Sequence, residues 1–215
     1  EIENELKTLS YLVNRLDTCD EFLFSAAFLT NSGVASLYNS LKNFSNKPNK
    51  IGKILVSDYL YFTQPEALER ISKLKNIETR LHVRGNFHGK GYLFRMGDRY
   101  DLLIGSSNLT ATALSTNKEI NLHVSGSENG ELIKNFRSFF EEAFDDAKQI
   151  TEEELDSYRE NYTITPRQLK KESNQQIIES EKRIFEPNLL QIEAVEKIKR
   201  LRSQGEDRAL VVSAT

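Results

Sequence analysis

A histidine and a lysine separated by one glycine, His88-Gly89-Lys90, open an apolar run that reads as a strand over residues 88–94. Side chains alternate along a strand, so the two would project from one face, with Gly89 leaving room between them. An imidazole beside a fixed cation suits a phosphate: Lys90 neutralises a non-bridging oxygen while His88 reaches phosphorus or the leaving oxygen. Alone, such a tripeptide is far more often incidental than catalytic. Downstream, Gly105-Ser106-Ser107-Asn108 follows another strand and is read as opening a short helix. Ser and Asn are ordinary helix N-caps. The same geometry also offers N–H donors to an anion, with Gly105 allowing close approach and Asn108 adding an amide donor. Glu119 falls on the polar face of the next strand. By itself it is a solvated carboxylate; in company it can fix a histidine tautomer or orient Asn108 and Lys90. His82 and His123 read as polar-face strand residues. With no cysteine cluster and no carboxylate-rich motif, no metal site is expected.

The elements that must position these residues alternate in type. Leu6, Leu9, Leu12, Val13 and Leu16 give residues 3–17 a helical stripe, and Phe22–Phe28 is a short, nearly continuous apolar run that suits a buried strand. Val34, Leu37, Leu41 and Phe44 restore the helical period, Lys53–Ser57 reads as a second buried strand, and Pro65 sits in the first turn of a helix carrying Leu68, Ile71 and Leu74. Residues 78–83 alternate as a strand. A hairpin is expected between residues 88–94 and 99–104 around Arg95-Met96-Gly97-Asp98. A strand at 119–124 puts Ile120, Leu122 and Val124 on one face and Glu119, Asn121 and His123 on the other. Leu132, Ile133, Phe136, Phe139, Phe140 and Phe144 form the strongest helical stripe of the chain. Strands alternating with helices of these lengths argue for an α/β domain.

Composition narrows the classes. The chain has 215 residues, 38% hydrophobic, with 12 Phe and 8 Tyr. That is enough for one domain of about 150 residues, which would bury roughly two-thirds of its unfolded surface, plus an appendage. No apolar run approaches a membrane span, and no leader pattern follows Glu1. The single cysteine, Cys19, cannot form an internal disulfide, so a cytoplasmic location is expected. The net charge of −3 conceals a segment from Arg80 to Tyr100 with five basic residues against one acid. Local positive charge can hold an anion on an acidic protein.

Taken together, His88-x-Lys90, Gly105-Ser106-x-Asn108 and Glu119 resemble the active-site motif of the phospholipase D superfamily, in its branch with one motif per chain, which includes small nucleases and related restriction endonucleases. The segment FLFSAAFLTNSG, residues 22–33, resembles that family's first strand and following helix start, and the resemblance covers residues 1–145. It implies a mixed β-sheet flanked by helices and a metal-independent phosphodiesterase acting through a phosphohistidine. His88 would be nucleophile or acid, Lys90 and Asn108 phosphate clamps, Glu119 the supporting carboxylate and Ser106 a hydrogen-bond donor. Because that chemistry needs two histidines and only one motif is present, the resemblance implies a homodimer with the site on its two-fold axis. One departure stands out. The family pattern often has aspartate five residues after the lysine, where this chain has Arg95; Asp98 or Asp101 would substitute if the hairpin register shifted.

After residue 150 the character changes. Residues 151–184 are charged and amide-rich and read as a helical linker. Residues 185–198, FEPNLLQIEAVEKI, and 209–215, ALVVSAT, resemble the start of a superfamily 2 DEAD/DEAH-type helicase or of a type III restriction motor subunit. Gln191 would match the glutamine that contacts adenine there. The Gly-Lys-Ser/Thr phosphate loop is absent from these residues, so the expectation is a truncated motor, with ATP and Mg²⁺ serving only the full-length protein and no cofactor for the nuclease. The expected organisation is a phospholipase D-like nuclease domain at 1–150, a linker at 151–184 and a helicase stub at 185–215. The expected substrate is nucleic acid, DNA before RNA, with no membrane partner and no lipid hydrolysis. The alternative is a catalytically silent module that dimerises the motor or seats it on nucleic acid.

Overall fold

The computed structural model describes residues 7–83 and 87–164, with Lys197, Lys199, Arg200, Ser203 and Gln204. Two compact units divide the chain, residues 1–169 and 170–215. Of the second unit only those five residues are described, and they include helical backbone at Lys197, Lys199, Arg200 and Ser203. The expected helicase start, Gln191 included, otherwise lies outside the described residues.

The first unit is built from α1 (Thr8–Thr18), β1 (Glu21–Ser25), α2 (Asn31–Ser45), β2 (Ile51–Ser57), a 3-10 turn at Tyr59–Tyr61, α3 (Pro65–Ser72), β3 (Ile77–His82), β4 (Gly91–Met96), β5 (Arg99–Gly105), α4 (Ala111–Ser115), β6 (Asn121–Ser127), α5 (Glu131–Asp145), β7 (Lys148–Gln149) and α6 (Glu152–Ile164). The sheet runs β6-β5-β4-β1-β2-β3-β7. Strands β1, β2 and β3 are parallel, and the remaining pairings are antiparallel. Because alternate residues face opposite sides, Phe22, Phe24, Ile54, Val56, Tyr92 and Phe94 pack with Leu12, Leu16, Leu37 and Leu68 in one core layer. Leu23, Leu55, Leu93 and Leu102 pack under Ile133, Phe136, Phe140 and Phe144 of α5 in the other. Each fully buried Phe or Leu contributes about 1.5–3 kcal/mol relative to exposure, so both faces of the central strands are firmly held.

Four expectations change in the folded chain. The first strand stops at Ser25, because the backbone of Ala27 and Phe28 turns to donate to the Asn108 side chain instead of continuing the ladder. β4 starts only at Gly91, so His88 and Lys90 precede the strand instead of sharing its face. The hairpin is tighter than expected: Met96 pairs with Arg99 across the two residues Gly97 and Asp98, and Gly97 supplies a φ of 62°. β6 begins only at Asn121, so Glu119 and Ile120 precede it, and neither of its faces is fully covered. Its polar side lies under α1, where Asn121 Nδ2 donates to Thr8 Oγ1 at 3.1 Å and His123 lies edge-on to Tyr11 at 5.1 Å. Leu122 is left 60% exposed and Ile120, just before the strand, 85%. Asn121 on one face and Val124 on the other are both half-buried, as suits an open edge strand.

The stretch read as a linker from residue 151 begins with α6, which belongs to the core. Leu155 and Tyr158 are buried, and the Tyr158 hydroxyl donates to Thr63 O at 2.9 Å. A narrow stripe of two large side chains suffices to dock a helix that is otherwise charged.

Asp101 is fully buried on the α1 side of β5, with Arg15 Nε 2.7 Å from one carboxylate oxygen in a close ion pair without hydrogen-bond alignment, and Ser125 and Arg99 on the other oxygen. Removing one partner of a buried pair leaves a charge without compensation. Arg15→Ala is expected to lower stability by about 3 kcal/mol, read from urea unfolding. An unchanged midpoint would show that Arg99 and Ser125 suffice.

Candidate active site

The site residues gather at one edge of the sheet, beyond the carboxyl ends of the parallel strands β1, β2 and β3, the usual location for ligand sites in open α/β sheets. Ser57 builds this edge. Fully buried at the end of β2, its hydroxyl lies 2.9 Å from Ala27 O and 3.0 Å from Phe87 O, joining the segments that follow β1 and precede β4. Phe87 is itself buried against Phe139 of α5 at 5.8 Å between ring centroids. The residue after it, His88, is therefore anchored from behind while its ring remains exposed.

Lys90 reaches back over His88. Its Nζ lies 2.9 Å from Nδ1 and 3.3 Å from Nε2 of the ring and donates to the His88 carbonyl at 3.0 Å. An ammonium has only donors, so this contact suits the neutral form of the imidazole. Partial burial, and then the Lys90 charge, hold the His88 pKa below its ordinary value. The Lys90 pKa is also lowered, by burial, against which the Glu119 charge acts to raise it. Lys90→Ala is accordingly expected to move the His88 pKa upward toward the usual histidine range, measured by NMR titration of its ring protons. A downward shift would contradict the electrostatic coupling.

Ser106, Asn108 and Glu119 arrive from the far side of β4. The Gly105 N–H donates to Lys90 O at 3.4 Å, which ties the two motif segments by backbone. The Ser106 hydroxyl donates to Glu119 Oε2 and accepts from the Ile120 N–H at 3.1 Å. Asn108 is buried, and its Oδ1 accepts from the backbone N–H of Ala27 at 3.0 Å and of Phe28 at 3.4 Å. With the oxygen so occupied, the amide orientation is set and Nδ2 is the donor end. Fully buried Tyr92, its pKa raised first by burial, donates to Ser107 O at 2.7 Å and supports this loop from inside. The segment does not open a helix directly. α4 starts at Ala111 under a Thr110 cap, so Asn108 serves as a latch between loops.

His123 lies elsewhere, beside Tyr11, whereas His82 ends β3 at the same edge, paired with Ser57 and with its ring beside Phe87 at 5.5 Å. Arg95 is five residues beyond Lys90 at the opposite end of β4, where its Nε donates to Glu21 Oε2 at 2.8 Å. The register does not shift to bring Asp101 into its place, since Arg95 pairs with Tyr100 and Asp101 with Phe94. The departure from the family pattern is thus absorbed by Glu21, remote from His88. Among the described residues no group of three or more His, Cys, Asp or Glu could hold a metal ion. Sequence reasoning overlooked Phe28, Tyr59 and Ser57. A three-aromatic cluster at Tyr59–Phe62 was visible, but nothing local connected it to a histidine about thirty residues away.

Residues 12–144 match the family described as the cardiolipin synthase, PLD-like domain. The chain belongs to this phospholipase D-like family. Among solved structures it is similar to a phospholipase D family member, Nuc, from Salmonella typhimurium, at 17% identity over 65% of this chain and 88% of that one, with a TM-score of 0.48. It is also similar to NucT from Helicobacter pylori, at 16% identity over 66% and 91%, TM-score 0.49, and to phosphatidylserine synthase from Haemophilus influenzae, at 14% identity over 95% and 44%, TM-score 0.48. No curated protein matches the chain.

Proposed function

We propose that residues 1–150 form a metal-independent phosphodiesterase that cleaves DNA through a phosphohistidine. The observation that carries this reading is Lys90 Nζ held 2.9 Å from a neutral, solvent-facing His88 ring, on the same edge as the latched Asn108. In the first step a ring nitrogen of His88 attacks phosphorus, the P–N bond forms and the bond to the leaving oxygen breaks. The His88 of a second copy protonates that oxygen. In the second step that same imidazole takes a proton from water, the hydroxide attacks phosphorus and the P–N bond breaks. Lys90 and Asn108 Nδ2 hold the charge that builds on the non-bridging oxygens. Glu119, hydrogen-bonded to Ser106, balances Lys90.

The two-histidine scheme requires a symmetric homodimer. Exposed apolar side chains beside the site favour one: Phe139, 47% exposed, flanks Gly89, and Leu122 extends the α5 side of the sheet beyond its register partner Ile104. Sequence alone supports placing this domain before an ATP-dependent helicase or restriction-type motor, in which Gln191 would contact adenine and Mg²⁺ and ATP would be needed.

The test is incubation with single- and double-stranded DNA in excess EDTA, beside a His88→Ala preparation, with the mass in solution measured on both. EDTA-resistant cleavage by a dimer, absent from the variant, is the expected result. Equal cleavage by both proteins removes His88 from the chemistry, and binding without cleavage favours the silent nucleic-acid module.

A further inference from the structure

Three aromatic side chains cluster beside His88 without being consumed by the core, Tyr59 and Phe28 facing its ring and Phe62 packed on Phe28. Phe28 follows β1; Tyr59 and Phe62 belong to the turn after β2; all three are half-buried. The Tyr59 ring lies 5.3 Å from the His88 ring, Phe28 lies 6.3 Å from it, and Phe28 and Phe62 are 5.3 Å apart. Neither of the two core layers includes these rings.

The turn that presents them is held in an unfavourable conformation. Leu60 and Tyr61 have φ of 49° and 53°, a left-handed region that side chains with a β-carbon seldom adopt. It persists because both ends are tied. Tyr61 N–H donates to Asp58 O at 2.8 Å, Thr63 Oγ1 donates to Ser57 O at 2.7 Å, and Tyr61 stacks on Tyr158 of α6 at 5.7 Å. The strained pair turns Tyr61 toward α6 and leaves Tyr59 and Phe62 on the side of His88. A loop that needed only to connect β2 to α3 would not require two consecutive left-handed residues.

We propose that Phe28, Tyr59 and Phe62 form a stacking platform for an unpaired nucleobase, so that the site takes single-stranded nucleic acid in preference to duplex. This rests on the phosphodiesterase reading for the position of the phosphate at Lys90. With the phosphate there, the adjoining base falls within a nucleotide's reach of the rings. A base in a duplex has both faces covered by its neighbours, whereas every unpaired base offers a π-face, and stacking on aromatic side chains is tolerant of base identity. The platform sits beside the positive Lys90, which matches the alternation of base and phosphate along a strand.

The experiment separates this inference from the proposed cleavage. Binding is measured by fluorescence anisotropy in a His88→Asn background, using a short single-stranded oligodeoxynucleotide, the same strand made abasic, and its duplex. Cleavage of the same three is measured with His88 intact. The expected result is that the base-bearing strand binds about 5- to 100-fold tighter than the abasic strand, and that Tyr59→Ala or Phe62→Ala removes this difference. Tyr59→Phe should retain it, which guards against a merely misfolded alanine variant, and unchanged thermal unfolding of each variant is checked alongside. Base-dependent binding without cleavage would sustain the platform while ending the nuclease reading. Equal binding and cutting of base-bearing and abasic strands would overturn the platform while leaving the nuclease in place. Binding to phosphatidylglycerol vesicles that depends on Tyr59 and Phe62, with no base dependence, would also overturn it and assign the rings to an acyl chain.

Discussion

Alanine at position 88 is expected to reduce EDTA-resistant DNA cleavage by about 10⁴-fold or more, since in the proposed mechanism it removes the attacking nitrogen and the proton carrier together. Lys90 and Asn108 would remain to bind the phosphate, so the loss should fall on kcat with little change in KM. The pH dependence follows from the electrostatics. Burial and Lys90 lower the His88 pKa, which favours the neutral nucleophile. The acid limb of the rate profile should therefore lie below the ordinary histidine range, with activity lost as pH falls through the lowered value. In the proposed dimer the two imidazoles would share one proton in the active form and titrate as a pair, giving a bell. Raising pH through the second step removes the proton needed by the leaving oxygen. A profile flat across the histidine range would remove imidazole from the mechanism, whatever the mutant rate.

Gly33→Ala should have a large effect on folding. Gly33 lies in the first turn of α2, where its N–H donates to the Thr30 hydroxyl at 3.1 Å. An added β-carbon would lie 1.9 Å from Leu109 O and 2.5 Å from Leu109 C. These are backbone atoms, and Leu109 O is held by the Thr30 N–H at 3.1 Å, so no rotamer change relieves the clash. The variant must push residues 108–110 away from α2 and so loosen the Asn108 latch on Ala27 and Phe28. Overpacking of this kind costs about 3 kcal/mol, a fall of about 10 °C in Tm for a domain of this size. Cleavage should drop further than the folded fraction accounts for, because Asn108 moves. Gly126→Ala is the control: its β-carbon would meet only Ile133 at 3.9 Å, and it should be nearly neutral. Equal Tm values for the two variants would mean that α2 and the Asn108 loop are not in close contact.

The legible parts of this fold share a property: each is decided by residues close together in the chain. The stripe Ile133, Phe136, Phe140, Phe144 is a helix whatever surrounds it, and it is the helix that covers one face of the sheet. Pro65 takes the first turn of α3 because its fixed φ and missing N–H fit only there in a helix. The motif residues His88, Lys90, Ser106, Asn108 and Glu119 were recognisable by type and order, and the fold brings them to one edge through short local ties such as Gly105 N–H to Lys90 O.

Sequence alone therefore determined the α/β class, the central strands, the major helices and the set of polar residues that the fold gathers at one edge of the sheet. Tertiary structure alone decided what the polar side of β6 meets, since Thr8 and Tyr11 on a helix more than a hundred residues earlier contact Asn121 and His123. It made α6 part of the core by giving Leu155 and Tyr158 a surface to meet, and it sent Arg95 to Glu21, away from the histidine. It also brought Phe28 and Tyr59 to His88, with Phe62 packed on Phe28. The physical reason is common to all of these. Periodicity and propensity act through neighbours along the chain, whereas partner choice for a polar or aromatic side chain depends on groups that meet only when separate strands and loops close on one another.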